Sequence, residues 1–227
     1  MLVKQLSLLF ESRPNYKMEN FVAGGNEELV ESLGTMLMSG SQERFYYIWG
    51  SQASGKTHLL TAVYKKLLEK KGRSVLFFGD GSLQKNDLNS EGSTIIVDNV
   101  HLLDKVEQHI IFNWYNYMLS NSGYMIVSGD HPPALLSVRE DLKTRLGSGL
   151  VYRIKALTDN EKIDVINRYC TERGFALSGD VLNYVVTHES RDLAHLLELV
   201  DGIDSYSIQT HRRITIPLVK EYFEINQ

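Results

Sequence analysis

Cysteine and proline are scarce in this chain: one cysteine and four prolines among 227 residues. The single Cys170 cannot form an internal disulfide, and nothing around it has metal-ligand spacing. It reads as a small core residue on a helix. Also missing is any apolar run near the roughly 20 residues that span a bilayer, and the N-terminus lacks the apolar core of a signal peptide. These absences predict a cytoplasmic protein with no membrane contact. An excess of basic charge is missing too: 24 Lys and Arg stand against 28 Asp and Glu, a net charge of -4. A protein whose main work is coating phosphate backbones is usually strongly basic, so that class is disfavoured. What remains, at 43% hydrophobic and 23% charged, suffices for one sizeable globular domain and a smaller second one.

Five short β-rich runs, at 46–49, 74–78, 94–98, 124–128 and 150–154, alternate with helical patterns. That alternation predicts an α/β fold with five parallel strands joined by crossover helices. Leu59, Leu60, Val63, Tyr64, Leu67 and Leu68 recur at helical spacing after the first run, with Gly72 placed to end the helix. Ile110, Ile111, Trp114, Tyr115, Met118 and Leu119 repeat the pattern after the third. Beyond Leu157 strand signals stop. Three or four amphipathic helices follow, with Thr158 and Ser178 as expected N-caps. The expected division is a tail at 1–18, an α/β nucleotide-binding domain at 19–157 and a helical lid at 158–227.

The chemistry concentrates in "YIWGSQASGKTHLL", where Gly50, Gly55, Lys56 and Thr57 fit the spacing G-x-x-x-x-G-K-[ST] between a strand and a helix. Such a loop lets the backbone of Gly50, Ser51, Gln52, Ala53, Ser54 and Gly55 curl around phosphates at a helix N-terminus, where the dipole favours anions. Lys56 is the candidate for the β and γ phosphates, Thr57 for magnesium, and His58 is counted with the site by position. The third run, "STIIVDNV", ends in Asp98, the candidate magnesium-orienting carboxylate. Asn99 follows, and an amide cannot act as a general base. These residues predict nucleotide binding with doubtful hydrolysis by the chain's own site. Arg145 precedes the fifth run and Arg191 opens a helix where a positive charge meets the unfavourable end of the dipole. The residues alone leave each open between a solvated surface charge and a phosphate partner. His58, His101, His109, His131 and His195 are scattered without ligand spacing, so no metal is expected beyond nucleotide-bound magnesium.

Taken in order, "YKMENFVAGGNEEL", "GSQASGKTHLL", "IIVDNV", "SGDHPPALL", "LKTRLGSGL", "SRDLAHLLELV" and "RRITIPLVKEYF" resemble the AAA+ domain of the bacterial replication initiator DnaA. They are still more similar to the short regulatory members of that DnaA-homologous family, which inactivate DnaA. The resemblance implies that Val22 contacts the base and that Asp130 is the first sensor's polar residue. It further implies that Arg145 is an arginine finger acting in trans, that Arg191 is the second sensor's arginine, and that ADP or ATP with Mg2+ is bound. "QLSLLF" resembles the motif that docks replication proteins on the DNA polymerase sliding clamp. Physically it is an extended peptide: Gln5 bonds at a pocket rim while Leu6, Leu8 or Leu9, and Phe10 fill apolar pockets around Ser7. The family commonly has proline where Leu9 stands. DnaA carries a DNA-binding helix-turn-helix beyond this point, and the chain stops at Gln227, so no sequence-specific DNA binding is expected.

The function this implies is negative regulation of replication initiation: with the DNA-loaded clamp, the chain stimulates ATP hydrolysis by DnaA. A homo-oligomer is compatible with the resemblance. Two other classes stay open, a self-hydrolysing DnaA-like or helicase-loader-like ATPase and a passive adaptor in which Arg145 is only a surface charge.

Overall fold

A computed structural model describes residues 16–39, 42–70, 74–79, 82–83, 93–189 and 193–226. The clamp-motif segment Gln5 to Phe10, Gly72 and Arg191 lie outside the described residues.

The first compact unit covers 16–165. Its strands are β1 (Phe45–Trp49), β2 (Val75–Gly79), β3 (Ser82–Leu83), β4 (Thr94–Val97), β5 (Tyr124–Gly129) and β6 (Leu150–Arg153). They form one sheet in the order β3-β2-β4-β5-β1-β6. The five expected strands all pair in parallel, while β3 adds a short antiparallel edge to β2 that a two-residue segment could not announce.

Alternation along the strands divides the core between the two faces of the sheet. Tyr46, Ile48, Ile96 and Ile126 pack with Leu29, Leu33, Met36 and Leu37 of α1 (Glu27–Ser39) and with Leu59, Leu60, Val63 and Leu67 of α2 (Lys56–Leu68). On the other face Tyr47, Ile95, Val97, Met125 and Val127 meet α3 (Lys105–Ser120) through Ile111, Tyr115 and Met118. The same cluster takes in Leu142 and Leu146 of α4 (Glu140–Leu146). β4, flanked on both sides, is buried at all four residues. Leu68 and Leu119, at the ends of their predicted stripes, stay exposed. α3 begins at a capping box: Asp104 accepts from the N–H groups of Val106 and Glu107, and the Glu107 carboxylate accepts from the Asp104 N–H.

The second unit begins at Ile166, within α5 (Asp159–Glu172), and continues through α6 (Gly179–His188), α7 (Leu193–Thr210) and α8 (Ile216–Asn226). Ile166, Val181, Leu182, Val185, Val186, Leu196, Val200, Leu218 and Val219 are buried in this unit, as are Leu177 and Ile203, and Cys170 is fully enclosed. Thr158 caps α5, its hydroxyl and N–H paired with Glu161. Ser178 stands at the N-cap of α6 but makes no side-chain cap bond. Among the described residues no helix is long and apolar enough to cross a membrane.

Candidate functional site: a P-loop beside two strand-end carboxylates

β1, β4 and β5 all end at the same edge of the sheet, so the segments after them meet there, as in other open parallel sheets. From β1 comes the P-loop. Gly50 follows the strand directly, and a Cβ there would stand 2.5 Å from the carbonyl oxygen of Ile154 and 2.7 Å from its Cγ2. Only glycine fits between the loop and the end of β6. Ala53 and Gly55 have positive φ, which curls the chain into the start of α2. No side chain caps that helix, so its first N–H groups and dipole face the loop and form the anion cradle the motif predicts. The Lys56 ammonium reaches back along the cradle, donating to Gly50 O and Ser51 O at 2.7 Å each. Burial lowers its pKa, partly opposed by the charges of Asp98 and Asp130.

Asp98, at the end of β4, is 6% exposed and is held on both carboxylate oxygens. Thr57 donates its hydroxyl to Oδ2 at 2.6 Å, and Ser128 donates to Oδ1. A hydroxyl and a carboxylate oxygen that converge in this way are the hard oxygen donors magnesium takes, so Thr57 and Asp98 fit the ion. The hydroxyl of Ser128 also accepts the Asn99 N–H at 2.8 Å, and Asn99 stands in the left-handed region that asparagine tolerates. Ser128 was missed by sequence reasoning. It lies in an ordinary apolar strand pattern, and the one signal was a hydroxyl two residues before Asp130.

Asp130, following β5, sits between two histidines, His131 Nδ1 at 3.0 Å and His101 Nδ1 at 3.7 Å. Desolvation pushes its carboxyl up, but the hydrogen bond from His131, the charge of His101 and a backbone donor together bring it below the usual value. The hydroxyl of the buried Tyr47 donates to the His131 carbonyl at 2.6 Å and fastens this loop to β1. Burial raises the Tyr47 pKa well above the ordinary phenol range.

Two segments of the chain match known family models: residues 80–153 that of the bacterial DnaA ATPase domain, and 159–223 that of the lid domain of Hda. An uncharacterized protein of Haemophilus influenzae is 32% identical over 232 residues, covering 98% of this chain and 99% of its own. The chain belongs to the DnaA-homologous AAA+ family and is Hda-like. Among solved structures, domain III of the Thermotoga maritima replication initiation protein DnaA matches with a TM-score of 0.74 at 19% identity, over 93% of this chain and 97% of that one. AMPPCP-bound DnaA from Aquifex aeolicus matches at 0.67 and 22% identity, over 87% of this chain and 68% of that one. The Thermotoga maritima RuvB branch migration motor matches at 0.68 and 16% identity, over 92% and 72%. These likenesses establish the AAA+ fold.

Within this AAA+ domain the remaining predicted residues fall into three places. Val22 is half-buried in the segment leading into α1. His58 does not join the phosphate cradle through its ring, whose Nε2 lies 3.2 Å from Lys17 O and 3.1 Å from Asn20 Oδ1. Arg145 lies in the last turn of α4, at the opposite end of the strands. It lines a small depression with Phe45 and Met125, the first paired residues of β1 and β5, and its guanidinium lies 5.7 Å from the ring centroid of Tyr115. Ser148 links the two, bonded to the Tyr115 hydroxyl and donating to Arg145 O, each at 2.8 Å. Phe45 and the P-loop are separated by the length of β1, four steps of about 3.3 Å, or about 13 Å. Arg145 is thus on the far side of the sheet from its own P-loop.

Proposed function

We propose that this chain is a nucleotide-loaded regulator that switches off DnaA. Docked on the DNA-loaded sliding clamp through Gln5, Leu6, Ser7, Leu8, Leu9 and Phe10, it presents Arg145 to the γ-phosphate of ATP held by DnaA and promotes hydrolysis there. The observation that carries the reading is the separation just described: Lys56, Thr57 and Asp98 at one end of the strands, with Arg145 at the other, too far to serve the same phosphates. This placement supports a role for Arg145 on another molecule's nucleotide, where fingers of this kind raise hydrolysis by about 10³ to 10⁵.

The chain's own ligand, ADP or ATP, has a structural purpose in this reading. Lys56 and the N–H groups opening α2 hold its phosphates, Val22 faces its base, Thr57 and Asp98 hold Mg2+, and the resemblance adds Asp130 and Arg191 as the two sensor residues. When bound, the ion would neutralise phosphate charge. Asn99, standing where a catalytic carboxylate would, can donate and accept hydrogen bonds but cannot take a proton from water, which supports retention over hydrolysis.

The test is phosphate release from ATP-loaded DnaA, with and without DNA-loaded clamp, for the wild type, Arg145→Ala and Gln5→Ala. Release that needs the clamp and is abolished by both substitutions, with ADP binding intact, is the expected result. Release from the chain's own ATP with DnaA absent would replace this reading with that of a self-hydrolysing ATPase; unchanged release in Arg145→Ala would take the finger role from Arg145, and wild-type release no faster than that of DnaA alone would leave a passive adaptor.

A further inference from the structure

The segment 16–26 runs from the start of the described chain, past the P-loop, into α1, and it is fastened near both ends. At its far end Asn26 bonds Lys155 twice, its Nδ2 donating to the carbonyl at 3.0 Å and its Oδ1 accepting from the N–H at 2.7 Å. At its near end the fastening is His58, third residue of α2 and the immediate neighbour of Thr57.

The bonding pattern defines what His58 does. Lys17 N–H donates to Asn20 Oδ1 at 2.9 Å, which fixes that atom as the oxygen of the amide. The Lys17 carbonyl is also a neighbour of the imidazole Nε2. Both of these atoms can only accept, so toward them Nε2 acts as the donor. Tyr16 and Phe21 flank the ring, with centroids at 4.8 and 5.3 Å. Phe21 also closes over the P-loop: a Cβ on Gly55 would lie 3.2 Å from its ring. The Glu19–Lys66 pair at 3.0 Å is a second tie, but both side chains are solvated and it adds little. Between the two fastenings hang Phe21, Val22 and Ala23, all half-buried.

Successive residues of a helix point about 100° apart, so adjacent positions can serve different partners. Thr57 turns to Asp98 and His58 turns to the strap. We infer that His58 is a positioning residue for the base of the nucleotide: it holds the 16–23 strap against the first turn of α2, so that the helix that cradles the phosphates also sets the wall that meets the base. The inference rests on the nucleotide reading above and deepens it, since it makes recognition of the base separable from recognition of the phosphates. His58 acts through Phe21 and Val22, without touching the ligand.

The experiment compares ADP with inorganic tripolyphosphate, a ligand with no base, on the wild type, His58→Ala and His58→Gln by calorimetry, together with tryptic cleavage after Lys17. His58→Ala is expected to lose about tenfold in ADP affinity, keep wild-type tripolyphosphate affinity, which also shows that it is folded, and be cut faster after Lys17. His58→Gln, whose amide N–H₂ has a similar reach, is expected to recover most of both losses. Equal weakening of the two ligands, or ADP affinity and Lys17 cleavage both unchanged in His58→Ala, would overturn the inference while leaving the nucleotide reading in place. A wild-type chain that binds neither ligand would overturn the nucleotide reading, and this inference with it.

Discussion

Replacing Ser128 by alanine removes one oxygen atom and strands two groups. Ser128 has no exposed surface, and its hydroxyl both donates to the Asp98 carboxylate and accepts the Asn99 N–H. Asp98 is itself 6% exposed, so water cannot readily take the place of the lost donor. A buried polar group left without a partner costs about 1–3 kcal/mol, more when it is charged. With one carboxylate oxygen and one backbone N–H affected, and little apolar area lost, Ser128→Ala should cost the α/β unit about 3 kcal/mol. Both tryptophans, Trp49 and Trp114, belong to this unit, so fluorescence during urea unfolding follows it directly. The midpoint should fall with the slope unchanged, as expected when stability alone is altered. Because Thr57 still holds Oδ2, the variant should bind ADP, with a weaker dependence on magnesium. A loss below about 0.5 kcal/mol, with wild-type magnesium dependence, would mean that the hydroxyl does not organise Asp98 and that the network is incidental.

Three further outcomes test other parts of the molecule. Gly50→Ala forces a Cβ to 2.5 Å from the Ile154 carbonyl; it should cost about 1–3 kcal/mol in the same unfolding assay and impair ADP binding, and wild-type values for both would contradict the close approach. Burial, then the charge of Asp201, raises the Asp204 carboxyl above its usual value, with Arg173 opposing. The folded lid therefore holds that proton more tightly than the unfolded chain, so ionisation near neutrality costs stability, a cost that disappears as pH falls through the raised value. Asp204→Asn should raise the melting midpoint of the 166–226 unit at pH 7 and lose that advantage on acidification; a gap that widens toward acid would refute the sign. Burial, with Asp201 and Asp204 adding, pushes the Cys170 thiol up to about 11, so a thiol-disulfide reagent at pH 8 should label it only after denaturation; rapid native labelling would refute its enclosure.

Much of this fold is written in local periodicity. The buried run Thr94 to Val97 and the stripe Ile111, Tyr115 and Met118 announce a strand and a helix because burial on a sheet demands those spacings. α1 and α4 were not marked out by that signal: α1 lies in a segment read only by resemblance, and α4 is seven residues long, fewer than three turns of pattern. β3, with two residues, exists through pairing with β2 and carries no pattern of its own.

The candidate site divides along the same line. By itself the sequence determined the P-loop, from Gly50 to Thr57, and the carboxylate of Asp98, because phosphate binding constrains residue type at fixed spacing in one continuous stretch. Tertiary structure alone decided what lies far apart in the chain. It brought Ser128 to Asp98 across neighbouring strands and set His58 against Lys17 and Asn20, 41 and 38 positions earlier. It also carried Arg145 to the edge of the sheet opposite its own nucleotide loop. Spacing along a chain encodes contacts a few residues long; which strand ends share an edge depends on the order in which β4, β5 and β1 pair, and that order comes from packing over the whole domain.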